Sequence, residues 1–299
     1  MNTPSLFLSA LPAFLAASMV CAMPARAATI YSESFDYGPA AGSLDGQNGG
    51  TGFAGAWHFA GGTNANIYTP AGLSFSDLSV SGGMVTGPAT ANYFSKFDRA
   101  LASPLSGVYY GSFLSQIQSG PSGLGQAALS LGGSGGGILG NDRFGVYAPV
   151  GSHALQVNSG IAATFTGSPQ FIGQTYLTLF KVDTASLGIS GWVLSAAQYD
   201  TFKVGGITEA ELNAASTGTG SGTVWARAGA GSFFSGGALA YLNMLVSPTG
   251  TITNLDECRL SNASLNEAVP ATVPEPGAGL LLLLGLALFA PARRGGSTS

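Results

Sequence analysis

Apolar and polar residues alternate over short runs along most of the chain, and Gly-, Asn- and Ser-rich breaks separate the runs. That pattern belongs to strands joined by turns rather than to helices. Residues 29–35 (TIYSESF) read as a short strand of edge character. Residues 171–182 (FIGQTYLTLFKV) are rich in β-branched and aromatic side chains and form the strongest strand candidate. Residues 191–195 (GWVLS), 222–227 (GTVWAR) and 239–246 (LAYLNMLV) follow at turn-separated intervals. One short helix is expected. Thr208 and Glu211 have the spacing of a capping box, hydroxyl at the N-cap and carboxylate three residues on, ahead of residues 212–215 (LNAA). Many short strands, one helix and no fixed-period repeat predict an all-β fold, a two-sheet antiparallel jelly-roll sandwich.

Composition sharpens this picture. Of 299 residues 46 are Gly and 15 are Pro, and only 8% are charged, so long helices, coiled coils and bundles are disfavoured. Aromatics at 10% and hydrophobics at 45% are too abundant for a disordered chain. Between Ala28 and Thr272 seven basic residues stand against thirteen acidic ones, and nowhere do they cluster, so a nucleic-acid partner is excluded. Cys258 is the only thiol of that stretch, which leaves no intramolecular disulfide to be made.

The two ends read as targeting segments. Residues 6–17 are an apolar run of signal-peptide length, and Ala25-Arg26-Ala27 is a small-x-small site that places cleavage before Ala28. Val20 ahead of Cys21 is wrong for a lipoprotein site, where a small residue precedes the cysteine. At the other end Pro274, Glu275 and Pro276 precede the apolar run 277–292, and Arg293 and Arg294 follow it. As a helix that run is about 24 Å long, a little short for a hydrocarbon core of about 30 Å, and the arginines hold its end at the cytoplasmic face. The expected organisation is a signal peptide (1–27), a β-sandwich body (28–268), a linker with the Pro-Glu-Pro motif (269–276), a transmembrane helix (277–292) and a basic tail (293–299).

Pro274-Glu275-Pro276, the Leu-rich span and the Arg293-Arg294 pair resemble the PEP-CTERM sorting signal of Gram-negative bacteria. The resemblance implies export by the general secretion machinery, membrane anchoring as an intermediate, and recognition and tail removal by an exosortase. A plain C-terminal anchor has the same topology and differs only in keeping its tail. Within the body, residues 33–37 (ESFDY) with 42–57 (GSLDGQNGGTGFAGAW) and the closing run 255–261 (LDECRLS) resemble exported bacterial proteins of laminin-G-like, concanavalin A-like fold. That likeness implies two antiparallel sheets with the first and last strands adjacent.

Read by alternation alone, the closing strand puts Asp256, Cys258 and Leu260 on one face and Leu255, Glu257 and Arg259 on the other. Cys258 then reads as a small buried hydrophobe, Asp256 as a core-side carboxylate in need of partners or a cation, and Glu257 with Arg259 as an exposed pair. Asp256 and Glu257, on opposite faces, could not flank one glycosidic bond.

Little else in the chain carries chemistry. Gly132-Gly133-Ser134-Gly135-Gly136 fits G-x-S-x-G and residues 135–140 fit G-x-G-x-x-G, but no helix-forming segment follows either, so both read as turning loops. His58 and His153 have no neighbour at zinc-ligand spacing. The Glu-x-Asp-x-x-Glu run of jelly-roll glycosidases is absent. Asp36, Asp45 and Asn48, in a Gly-rich region, are candidate oxygen ligands for a calcium ion, and are also ordinary turn residues. Trp57, Trp192 and Trp225 are candidates for stacking on sugar rings, and equally for the core. The expectation is a non-enzymatic, cell-surface or extracellular protein associated with polysaccharide. The alternatives are a glycan-active enzyme on the same fold and a purely structural matrix protein.

Overall fold

The structure, a computed structural model, describes residues 29–62, 68–87, 95–119, 125–133, 135, 144–148, 152–157, 160–166, 173–186, 188–215, 225–230, 238–248 and 252–270. The signal peptide, the Pro-Glu-Pro motif, the apolar run 277–292 and the Arg pair lie outside these residues. Among the described residues no helix is long and apolar enough to cross a membrane.

Among the described residues two antiparallel sheets hold the strands, numbered in chain order. One sheet contains β1 (Thr29–Glu33), β3 (Tyr68–Thr69), β4 (Met84–Thr86), β6 (Val108–Ser119), β11 (Thr175–Asp183), β12 (Gly188–Leu194), β13 (Trp225–Ala230) and β15 (Ile252–Ser261). The other contains β2 (His58–Gly62), β5 (Ser95–Leu105), β7 (Gly125–Gly132), β8 (Phe144–Ala148), β9 (Ser152–Val157), β10 (Gly160–Thr166) and β14 (Leu239–Pro248). The eight-stranded sheet runs β13-β12-β11-β6-β15-β4-β3, and the seven-stranded sheet runs β10-β9-β8-β7-β14-β5-β2. One side of β15 is filled by β6. Its other side is shared by β4, opposite Asn254 and Leu255, and β1, opposite Cys258 to Ser261. The first and last strands are therefore adjacent, as the resemblance implied.

Two hydrophobic cores follow from the alternation along the strands. Phe97, Leu129, Met244 and Val246 of the seven-stranded sheet pack against Val85, Phe113, Phe180, Leu255, Cys258 and Leu260 of the eight-stranded sheet, which makes the assembly a sandwich. The second core lies on the outer face of the eight-stranded sheet. There Leu114, Leu177, Leu179, Trp192 and Leu194 are covered by Leu73, Phe75 and Leu78 of segment 70–83 and by three short helices. These are α1 (Ala196–Phe202), α2 (Glu209–Ala215) and α3 (Leu265–Ala268). The helix expected from Thr208 and Glu211 is α2, and Glu211 N donates to Thr208 Oγ1 at 3.2 Å.

The closing strand departs from simple alternation. A β-bulge falls between Asp256 and Arg259, and Glu257 sits there at φ +48°. The extra residue resets the parity, so Leu255 shares the inter-sheet core with Cys258 and Leu260. Asp256 points the other way, into segment 70–83, where its Oδ2 accepts from Leu73 N at 2.8 Å. Glu257 does pair with Arg259, Nη2 to Oε2 at 3.0 Å, but its side chain is 1% exposed rather than solvated. Its Oε1 accepts from Ser81 N at 2.9 Å. The two carboxylates therefore meet one segment, and the opposite-face reading is corrected by the bulge.

Candidate functional site

The residues singled out near the N-terminus converge on a single side chain, Arg99, reaching inward from β5. Its Nη1 pairs with Glu33 Oε2 of β1 across the sandwich, both groups fully buried. Its Nη2 donates to Asn48 Oδ1 and to Gly49 O, each at 2.7 Å, and its Nε donates to Gly55 O at 2.7 Å. The ring of Phe53 lies 4.1 Å from the guanidinium carbon, and Trp57 lies 5.8 Å away. Glu33 Oε2 also accepts from Tyr37 Oη at 2.6 Å and from Trp57 Nε1 at 3.2 Å, while Oε1 accepts from Phe35 N at 2.8 Å. Burial, and then the neighbouring Glu33 charge, push the Tyr37 hydroxyl far above its ordinary range, so it stays a donor. No buried side-chain polar atom of this knot lacks a partner and its charges are matched, so it ties the Gly-rich chain 42–57 to both sheets.

This geometry decides between the readings offered for these residues. Asn48 Oδ1 is taken by a guanidinium, so a calcium ion coordinated there would lie against a fixed positive charge. Asp45 Oδ1 accepts from Phe59 N at 2.8 Å and so caps the start of β2, while Asp36 is exposed. Asp45 and Asn48 thus each serve a partner within the protein. Among the described residues no group of three or more His, Cys, Asp or Glu is placed to hold a metal. Trp57 is 1% exposed and stacked on Phe35, ring centroids 6.2 Å apart. Trp192 is 0% exposed, and its Nε1 donates to Asn213 Oδ1 at 3.1 Å. Neither indole offers a free face to a sugar, and both are core. Trp225 lies in β13, and its side chain is outside the described residues, as is that of His153 in β9.

The arrangement that sequence reasoning missed is on the outer face of the seven-stranded sheet. Inward residues of β14 are Leu242, Met244 and Val246, so Tyr241, Asn243 and Leu245 face outward. The strand register places His58, Asp98, Asn243 and Ser130 side by side across β2, β5, β14 and β7. His58 Nδ1 lies 3.5 Å from Asp98 Oδ2, with the histidine side chain 72% exposed and the aspartate 8% exposed. Asn243 is 2% exposed, and its Oδ1 has no hydrogen-bond partner among the described residues. Two residues along the same face, half-buried Tyr241 stands between Gly132 of β7 and Ala100 of β5, neighbours too small to crowd its ring. Gly135 approaches the same row: a Cβ there would meet the Asp98 carboxyl at 3.0 Å. Helices and segment 70–83 occupy the outer face of the other sheet. A polar row of this kind was not legible beforehand, because it depends on the pairing of four strands far apart in sequence.

No protein-family model matches the chain, and no curated protein is similar to it. Solved structures are similar in outline. A protein of unknown function, SO2946 from Shewanella oneidensis MR-1, is 14% identical, with 81% of this chain and 89% of that one covered and a TM-score of 0.44. The catalytic domain of the glycoside hydrolase family 131 protein from Coprinopsis cinerea is 9% identical, with coverage of 80% and 97% and a TM-score of 0.46. Lectin II from Ulex europaeus is 12% identical, with coverage of 67% and 97% and a TM-score of 0.38. Scores and identities this low do not carry a function from any of these proteins to this chain.

Proposed function

We propose that the protein is an exported carbohydrate-binding β-sandwich of the jelly-roll, concanavalin A-like type. In this reading residues 1–27 direct export, and the tail from Pro274 to Arg294 serves an exosortase. The mature body then meets extracellular polysaccharide at the cell surface or in the matrix. The observation that carries the binding function is the polar row on the outer face of the seven-stranded sheet, which presents His58 and Tyr241 at its surface. In that row Asp98, Asn243 and Ser130 are buried polar groups, and the exposed imidazole of His58 and the half-buried ring of Tyr241 are the parts a sugar can reach. The apolar face of a sugar lies against the Tyr241 ring, and its hydroxyls hydrogen-bond to the His58 imidazole.

The test is affinity electrophoresis of the full-length protein, in mild detergent, through gels containing dextran, galactan or xylan. Retardation by at least one polymer is expected, abolished in Tyr241→Ala and reduced in His58→Ala, in variants whose melting temperatures match the parent. No retardation by any polymer overturns the reading. The His58–Asp98 contact at 3.5 Å favours a second reading, a glycan-active enzyme in which that pair handles a proton. Release of new reducing ends from the same polymers, abolished by Asp98→Asn, would establish it in place of simple binding.

A further inference from the structure

Segment 70–83 crosses the outer face of the eight-stranded sheet as a strap, with Leu73, Phe75 and Leu78 pressed into the second core. Its hold on β15 is through two carboxylates on the bulge. Asp256 Oδ2 accepts from Leu73 N at 2.8 Å, and Glu257 Oε1 accepts from Ser81 N at 2.9 Å. The contact is too close for a side chain on the strap: a Cβ at Gly72 would stand 2.9 Å from Asp256 Oδ2. At the far end Gly83 N donates to Phe35 O at 3.1 Å, Ser76 donates to Asp200, and Lys203 bridges Asp77 and Asp200 at 3.0 and 2.7 Å.

Charge is not balanced beneath this strap. Among the described residues three buried carboxylates share the neighbourhood, Glu33, Asp256 and Glu257, and two arginines answer them. Arg99 is paired with Glu33 and Arg259 with Glu257, which leaves Asp256, 0% exposed, without a cation among the described residues. The other charged or titratable groups that meet the strap are Asp77 on it, Asp36 beside Gly82, Tyr68 beside Gly83, and Tyr199, Asp200 and Lys203 on and beside α1, with the buried thiol of Cys258 on β15. Lys203 is committed at the strap's far end. We propose that segment 70–83 is a proton-controlled strap, held down while Asp256 is a neutral acid and released when that group ionises. Opening admits water to the carboxylate, separates it from the two neighbouring charges, and bares the apolar residues of the second core. Burial, followed by the charges of Glu257 and Glu33, raises the carboxyl of Asp256 to about 8 in the closed form, against an ordinary 3.8 when hydrated. The raised group holds its proton in the closed state and loses it in the open one. Rising pH therefore favours opening, about tenfold per unit from about pH 4 to pH 8, with a plateau above.

Hydrogen exchange of the full-length protein across pH 4 to 10, corrected for intrinsic exchange rates, reads the opening constant of residues 72–82 directly. The expected result is that tenfold-per-unit rise and its plateau, confined to the strap, and a flat profile in Asp256→Asn. A profile independent of pH in the parent, or an unchanged slope in the variant, overturns the proposal. Infrared spectroscopy of the parent decides the matter even if the variant fails to fold. The stretch of a protonated carboxyl must persist at pH 6, where exposed carboxylates are ionised, and vanish above pH 8. Its absence at pH 6 sinks the idea.

Discussion

Arg99 is the side chain whose loss is felt furthest. Replacing it by Met strips Glu33 of its counter-charge in a fully buried position and leaves Asn48 Oδ1, Gly49 O and Gly55 O without their donor. Breaking a buried pair in this way costs about 3–5 kcal/mol, more than the guanidinium's own packing supplies. Urea unfolding at pH 7 is expected to show a loss of that size for Arg99→Met, partly recovered in the double variant Arg99→Met, Glu33→Gln. A double variant no better than the single one would mean the charge on Glu33 is not the source of the cost. Glu33, Phe35, Tyr37 and Trp57 were visible in the sequence as a group, but their common partner was not, because Arg99 lies 42 residues beyond Trp57 and reaches them across the sandwich. The buried character of Cys258 was legible from its apolar neighbours. The direction of Asp256 was not, since a one-residue bulge inverts the face of every side chain before it and leaves no mark in the alternation itself.

Local signals named some elements and omitted others for identifiable reasons. Residues 29–35, 171–182 and 239–246 correspond to β1, β11 and β14 because their apolar content stands out against Gly-rich surroundings. Strands β5 and β6 were passed over. Lys96, Asp98 and Arg99 dilute the first, and Ser112, Ser115 and Gln116 the second, and both owe their burial to partners rather than to propensity. Helix α1 was missed although Ser195 and Gln198 repeat the capping-box spacing that revealed α2. Ser195 Oγ accepts from Gln198 N at 3.4 Å, and Gln198 Oε1 accepts from Ser195 N at 2.7 Å. At seven residues α1 cannot stand on its own, so its caps and the burial of Tyr199 decide its persistence. Ser195→Ala is therefore expected to cost about 1 kcal/mol. In scanning calorimetry that amounts to a fall in melting temperature of about 2–4 °C for a chain of this size. An unchanged melting temperature would mean that the cover over the second core is held by α2, α3 and the strap alone.

At the scale of the molecule, the eight-stranded sheet is the common wall of two cores, and this sets how the protein should come apart. Strand β11 sends Phe180 and Val182 into the inter-sheet core, and Leu177 and Leu179 into the helix-covered one. Loss of either core thus strips one face of the same strands. The two buried tryptophans report on the cores separately, Trp57 between the sheets and Trp192 beneath α2. In a Trp225→Phe background, single-tryptophan variants carrying Trp57→Phe or Trp192→Phe allow each core to be followed by fluorescence during urea unfolding. At pH 5, where the strap is held down, the two transitions are expected to coincide in midpoint and slope once each variant's own stability, measured by circular dichroism, is taken into account. Coincidence follows if the shared sheet cannot survive with one face bare. An earlier transition at Trp192 would show instead that the helices and strap leave as a unit and that the inter-sheet core, pinned by Arg99 and by the pairing of β1 with β15, stands without them. Because the polar row lies on the far side of that inter-sheet core, the proposed carbohydrate binding should then survive the first transition and disappear only with the second.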